Sequence, residues 1–337
     1  MSLTEDAENQ DELARVKREL ARVQRQLYET KHKRADYLET VHNAVVETIQ
    51  GISINPVPLL TGVPEGARLH HVALLSDLQT GKITPDYNST VAAERVALYA
   101  DKVIEQGMKT GVRDITVAML GDMVEGVDIF PGQQWLIDST LYRQVFDTTP
   151  VIIAEFVRKL LTWYEHVTVE AVQGNHGRIG RRGVFGPEDN ADRMVYRVAS
   201  LLLRDEPRVT FNMADPEGEA AWYKIATIGN YRAMLIHGDQ IRGANGFPWY
   251  GLGKKVHGWA SGALGVGVTF DDLFMGHYHQ MAAVPLNHRT VWANGSTESY
   301  NTFAQETLAA MSSPAQWLLA VDPAVGKVES AYPIGLA

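Results

Sequence analysis

Five short segments of this 337-residue chain each end an apolar run and each carry side chains able to bind a metal ion: Ser76-Asp77-Leu78-Gln79, Gly121-Asp122, Gly174-Asn175-His176, His237-Gly238 and Gly276-His277-Tyr278-His279. The runs before them, at 72–75, 115–120, 167–172, 233–236 and 273–275, have the length and composition of buried strands. In an open α/β sheet, ligands bind in the crevice beyond the carboxyl ends of the strands, so residues far apart in the chain can converge there. Between and after the runs, helices are expected at about 89–110, 140–166 and 190–204, and further strands at 222–228, 231–236, 289–293, 316–321 and 327–331. βα units followed by antiparallel strands predict a layered α/β fold.

The side-chain inventory points to hydrolysis of phosphate esters. That reaction needs a nucleophile at neutral pH and charge neutralisation on the phosphoryl oxygens, and two metal ions about 3.5 to 4 Å apart supply both. A mixed shell of Asp, Asn and His around one shared carboxylate suits such a pair. In this order the segments resemble the calcineurin-like metallophosphoesterase superfamily, whose pattern runs Asp-x-His, Gly-Asp, Gly-Asn-His-Asp/Glu, His and Gly-His-x-His. The resemblance spans roughly residues 68–335 and is nearest in motif order to the SbcD-type DNA-repair nucleases. It implies a four-layer α/β/β/α sandwich. It also implies that Asp122 bridges two ions, that Asp77, Gln79 and His279 complete one site, and that Asn175, His237 and His277 complete the other. His176 stays off the metals as general acid for the leaving oxygen.

Two positions depart from the pattern. Gln79 stands where the family has His, so its site is expected to coordinate weakly and to lean toward a hard ion such as Mn²⁺, with Fe²⁺, Zn²⁺ or Mg²⁺ as alternatives. The other reading of Gln79 is a hydrogen bond to a water on the metal. Gly177 stands where relatives have Asp or Glu, and Glu125, three residues after Asp122, is the candidate partner that fixes the tautomer of His176; the alternative is a solvent-facing loop glutamate.

Substrate contacts are expected from Arg178, Arg181 and Arg182, which follow His176 in a glycine-containing loop suited to phosphates. Lys254, Lys255, Arg242 and His257 extend this set, and Phe130, Trp135, Trp249 and Tyr250 are candidates to stack on unpaired bases. A solvated turn and lid or core packing are the alternative readings. The expected substrate is a nucleic acid. Small nucleotide esters or phosphomonoesters are the alternative, and a non-catalytic assembly factor working through the N-terminal helix is a third reading.

Composition narrows the rest. With 31 basic and 40 acidic residues the formal charge is −9, which argues against broad electrostatic capture of nucleic acid but not against a local basic cluster. The absence of cysteine excludes disulfides and thiolate metal sites. A polar, acidic N-terminus without an apolar signal core leads to the expectation of a soluble cytoplasmic protein. Residues 1–50 read as a helix, 51–67 as a Pro-rich linker and 68–337 as the metallophosphoesterase domain. Leu13, Val16, Leu20, Val23 and Leu27 make two heptads, a candidate coiled coil for homo-oligomerisation; packing of this helix on its own domain is the alternative.

Overall fold

The computed structural model describes residues 39–50, 55–59, 68–180, 185–214, 219–243, 246–298 and 313–337, together with positions 19, 22 and 25. The chain parts into two compact units, Met1–Thr48 and Ile49–Ala337. In the first, the described positions are helical; the two heptads proposed for self-association lie outside the described residues. In the second, Val57 N donates to Glu206 Oε2 at 2.9 Å, and Arg204 donates to the carbonyl of Ile49 at 2.7 Å, so Ile49 and Val57, ahead of the first strand, are bonded to the rest of this unit.

Among the described residues, eleven strands make two sheets. The first is ordered β11-β10-β1-β2-β3-β4 and the second β5-β6-β7-β9-β8. In the first sheet β1 (His70–Leu75), β2 (Asp114–Met119), β3 (His166–Ala171) and β4 (Val209–Met213) run parallel, and β10 (Ala315–Asp322) and β11 (Lys327–Gly335) add an antiparallel edge. In the second, β6 (Tyr231–Ile236), β7 (Asp272–Met275) and β9 (Arg289–Ala293) are parallel neighbours, flanked by β5 (Tyr223–Ile228) and β8 (Ala282–Leu286).

Alternation along the strands sorts side chains into three cores. Val72 and Leu74 of β1, Ala118 of β2, Ala233 and Leu235 of β6 and Phe274 of β7 pack together between the sheets. The opposite face of the first sheet, with Ala73, Leu75, Val117 and Val169, is covered by α1 (Ser89–Thr110), α2 (Thr149–Leu160) and α3 (Ala191–Leu202) through Val96, Phe156 and Val195. The outer face of the second sheet, with Met234, Ile236 and Leu273, receives Leu252 and Val256 of α4 (Trp249–Gly258). The result is the expected α/β/β/α sandwich. The bounds of α1 follow from local chemistry: Asn88 Oδ1 accepts from the N–H groups of Thr90 and Val91, and Gly111 ends the helix at φ 71°.

Several sequence expectations shift. The helix expected to reach His166 ends at Leu160, and His166 instead opens β3, bonded to Asp114 across the parallel ladder at 2.9 Å. His70 and His71 lie within β1 rather than ahead of it. His288 lies in the turn between β8 and β9, and β4, β8 and α4 are elements outside the expected set.

Burial holds both imidazoles of β1 neutral. His71 is fully buried, its Nδ1 2.8 Å from the Tyr164 hydroxyl, and burial followed by the neighbouring His70 lowers its pKa to about 4. The unfolded ring, with a pKa near 6.5, binds a proton first as pH falls. Stability is therefore complete above pH 6.5 and is lost on the way down to about 4, by about 3 kcal/mol from His71 alone. His71→Gln is expected to reduce, but not abolish, the slope of urea-unfolding stability over that window, since His70 is lowered to about 4 as well; an unchanged slope would show that His71 contributes nothing to the acid sensitivity.

Candidate metal centre

All five sequence segments meet at one end of the sandwich, at the carboxyl ends of β1, β2, β3, β6 and β7. The turn after each strand must be sharp. Among the described residues, six non-glycine positions have positive φ, and five of them are Asp77 (55°), Gln79 (43°), Asp122 (55°), His277 (73°) and His279 (54°). Such backbone is costly for residues with a Cβ and persists where surrounding contacts hold it, as at functional sites. Glycines permit the close approach: a Cβ on Gly174 would fall within the Asp122 carboxylate, and one on Gly276 within that of Asp77.

Asp122, His237 and His277 bring one ligand atom each within 4.8 Å of one another. His237 Nε2 lies 3.0 Å from Asp122 Oδ2, 3.0 Å from Asn175 Oδ1 and 3.2 Å from His277 Nδ1. Its other nitrogen, Nδ1, is 2.8 Å from the Leu120 carbonyl, which can only accept. Nδ1 therefore carries the hydrogen and, in the neutral ring, Nε2 presents a lone pair to a carboxylate and an amide oxygen. A cation is the partner that such a gathering of lone pairs lacks, and an imidazole fixed through its second nitrogen is the usual arrangement of a metal ligand. The donor set thus fits a divalent ion. The charge balance shows the same need for a cation: without a metal ion a proton takes that place, since the Asp122 carboxylate outweighs burial and raises the His237 pKa to about 10, while the histidines hold Asp122 far below the usual carboxylate range against the pull of burial.

Asp77 and His279 form the adjoining pair, Oδ1 to Nε2 at 3.3 Å, and the N–H of His277 donates to both Asp77 oxygens at 3.1 Å. Gln79 reaches this pair through Nε2, 3.5 Å from His279 Nε2. His176 sits beside the cluster: its backbone N–H donates to Asp122 Oδ1 at 2.7 Å and its Nδ1 is 2.9 Å from the Glu125 carbonyl. The Glu125 carboxylate is fully buried, 3.3 Å from the same nitrogen, so it meets His176 rather than facing solvent. Burial lowers the His176 pKa, but Asp122 and Glu125 overcome it and raise it to about 9.

The structure explains the missing carboxylate after His176. A Cβ on Gly177 would collide with Asn190 Oδ1, which caps α3 by accepting from Asp192 N at 2.9 Å. Asp192 itself went unnoticed in the sequence. Its buried carboxylate accepts from the N–H groups of Asp122 (2.8 Å), Gly174 (2.8 Å), Met123 (3.0 Å) and Val124 (3.3 Å), tying two ligand turns together. A sixth strand end was also overlooked. After β9, Ser296 Oγ donates to the Asp77 carbonyl at 2.7 Å, Asn294 Nδ2 donates to Ser76 Oγ at 3.0 Å, and Glu298 Oε2 lies 3.3 Å from His279 Nδ1. The signal was the one already in use, an apolar run closing on Asn294-Gly295-Ser296.

The candidate substrate residues are scattered. Arg178 is half-buried in the turn after His176; Arg181 and Arg182 lie outside the described residues. Lys254, Lys255 and His257 are exposed on α4, and Arg242 is exposed before it; none of the four is bonded to the donor cluster among the described residues. Of the aromatic candidates, Trp249 is connected to the cluster. Trp135, Trp249 and Tyr250 are exposed, at 81%, 64% and 87%. Ring contacts lead inward from Trp249 to Phe247 (4.5 Å), Tyr278 (5.7 Å) and His277 (4.9 Å).

No family model matches the chain, and no curated protein matches it. Among solved structures it is similar to wild-type Vps29 of Entamoeba histolytica complexed with Zn²⁺ (14% identity, 79% of this chain and 99% of that chain, TM-score 0.36). It is also similar to an archaeal phosphodiesterase (11%, 78% and 99%, 0.36) and to the Escherichia coli phosphoesterase YfcE (13%, 79% and 100%, 0.33). These are distant likenesses, and the chemistry open to the centre is that of its own donor set.

Proposed function

We propose that this chain is a metal-dependent phosphodiester hydrolase whose substrate is a nucleic acid. The observation that carries the reading is the gathering of Asp122, Asn175, His237 and His277 lone pairs at the strand ends, with His176 held beside them but turned to Glu125. Divalent ions bound there supply an activated water and neutralise charge on the phosphoryl oxygens. The chain's own residues do the rest. Asp192 and the Leu120 carbonyl fix Asp122 and His237, so the donors are set before substrate arrives. The Glu125 carbonyl keeps the hydrogen on His176 Nδ1, and the protonated ring releases the Nε2 proton to the departing oxygen. Exposed Trp249, joined through Phe247 and Tyr278 to His277, favours a substrate with an unpaired base, in keeping with the motif likeness to SbcD-type nucleases.

The test is cleavage of 5′- and 3′-labelled single- and double-stranded DNA with Mn²⁺, beside bis-p-nitrophenyl phosphate and p-nitrophenyl phosphate. DNA and the diester are expected to be cut and the monoester spared. Asp122→Asn is expected to lower every rate by more than about 100-fold, since it removes the carboxylate on which the donor cluster centres. Hydrolysis of the small diester without cleavage of DNA would replace nucleic acid by a nucleotide-sized ester.

A further inference from the structure

The two halves of the centre are not built alike. On one side four side chains, Asp122, Asn175, His237 and His277, turn donor atoms toward one another. On the other, Asp77 and His279 are joined by Gln79, and the Gln79 carbonyl oxygen is engaged elsewhere, accepting from the Lys82 ammonium at 3.3 Å. An ammonium only donates, so the oxygen must face it, and the amide nitrogen is left toward His279 Nε2 at 3.5 Å. That nitrogen has no lone pair to offer a cation. Lys82 is held in turn: its side chain is 13% exposed and its Nζ lies 2.7 Å from Glu298 Oε1, while Glu298 Oε2 lies 3.3 Å from His279 Nδ1. Lys82, Glu298, His279 and Gln79 therefore close a ring of contacts in which the Lys82 ammonium is held by the Glu298 carboxylate.

We propose that the centre loads its two metal positions unequally. The position made by Asp122, Asn175, His237 and His277 holds its ion tightly. The position made by Asp77 and His279 binds weakly and exchanges, because Lys82 keeps the Gln79 oxygen away from it. Lys82 is a positioning residue in this scheme, acting through Gln79. The inference rests on the reading of these residues as a metal centre.

The experiment is chelator stripping, reloading with Mn²⁺, dialysis and elemental analysis, with titration calorimetry for each ion and thermal melts to verify folding of every variant. Wild type is expected to retain one Mn²⁺ per chain, with a second bound at least about tenfold more weakly. Lys82→Met, which releases the Gln79 oxygen, and independently Gln79→His, which restores an imidazole, are each expected to tighten the weaker ion by about tenfold. Two ions of equal affinity in wild type would overturn the proposal, as would a weaker constant unmoved in either folded variant. Retention of no Mn²⁺ at all would overturn the metal-centre reading with it, so the two failures are distinguishable.

Discussion

His176→Ala is expected to lower turnover of a phosphodiester by about 10²- to 10⁴-fold, the usual contribution of a positioned general acid, while leaving the metal content unchanged. The reason is geometric. His176 touches the cluster only through its backbone N–H to Asp122 Oδ1, and its ring nitrogen Nδ1 is turned to Glu125. In the metal-free centre Asp122 and Glu125 raise its pKa to about 9 against burial, and with Asp122 bound to metal the Glu125 carboxylate remains to favour the protonated ring. Activity is then expected to fall on the alkaline side as the ring deprotonates, and this limb should vanish in the variant. Glu125→Gln keeps the carbonyl contact but removes the charge, so it is expected to move the limb to lower pH. Turnover and elemental analysis of the same samples decide the matter: full activity without His176 would remove it from the mechanism, and loss of metal would make it a ligand.

Asp192→Ala is expected to destabilise the domain by about 3–5 kcal/mol and to weaken metal retention. One fully buried carboxylate satisfies four backbone N–H groups, those of Asp122, Met123, Val124 and Gly174. Without it these donors are left buried and unpaired, each at a cost of about 1–3 kcal/mol before the turns relax. Burial and the nearby Asp122 raise the Asp192 pKa to about 6. Asp192→Asn has nearly the same shape but points an amide N–H₂ at some of those donors, so it is expected to fail in the same direction. Urea unfolding and Mn²⁺ retention read the two effects; a variant with wild-type stability would mean that the turns hold themselves.

The parts of the fold that sequence reading missed share a cause. β8 contains Pro285 and has no fully buried residue, as suits an edge strand, where an N–H need not enter a ladder. β4 is the opposite edge of the first sheet and likewise lacks a fully buried position. α4 carries Gly251, Gly253 and Gly258, which disfavour a helix locally, yet Leu252 and Val256 pack into the core on the second sheet and hold it. In each case packing outweighed a weak or contrary local signal.

The sequence by itself determined the donor inventory and its placement at strand ends, because apolar runs that close on Gly, Asp, Asn and His are local patterns readable within a few residues. It also set the capped bounds of α1, for the same reason. Only the tertiary structure decided how the donors are oriented and what holds them. Asp192 reads in sequence as an acid in the first turn of a helix, Glu298 as a residue after a strand, and Lys82 as a loop cation. Their roles come from contacts with backbone and side chains distant in the chain, made when the two sheets and their helices pack, and hydrophobic periodicity carries no record of such pairings.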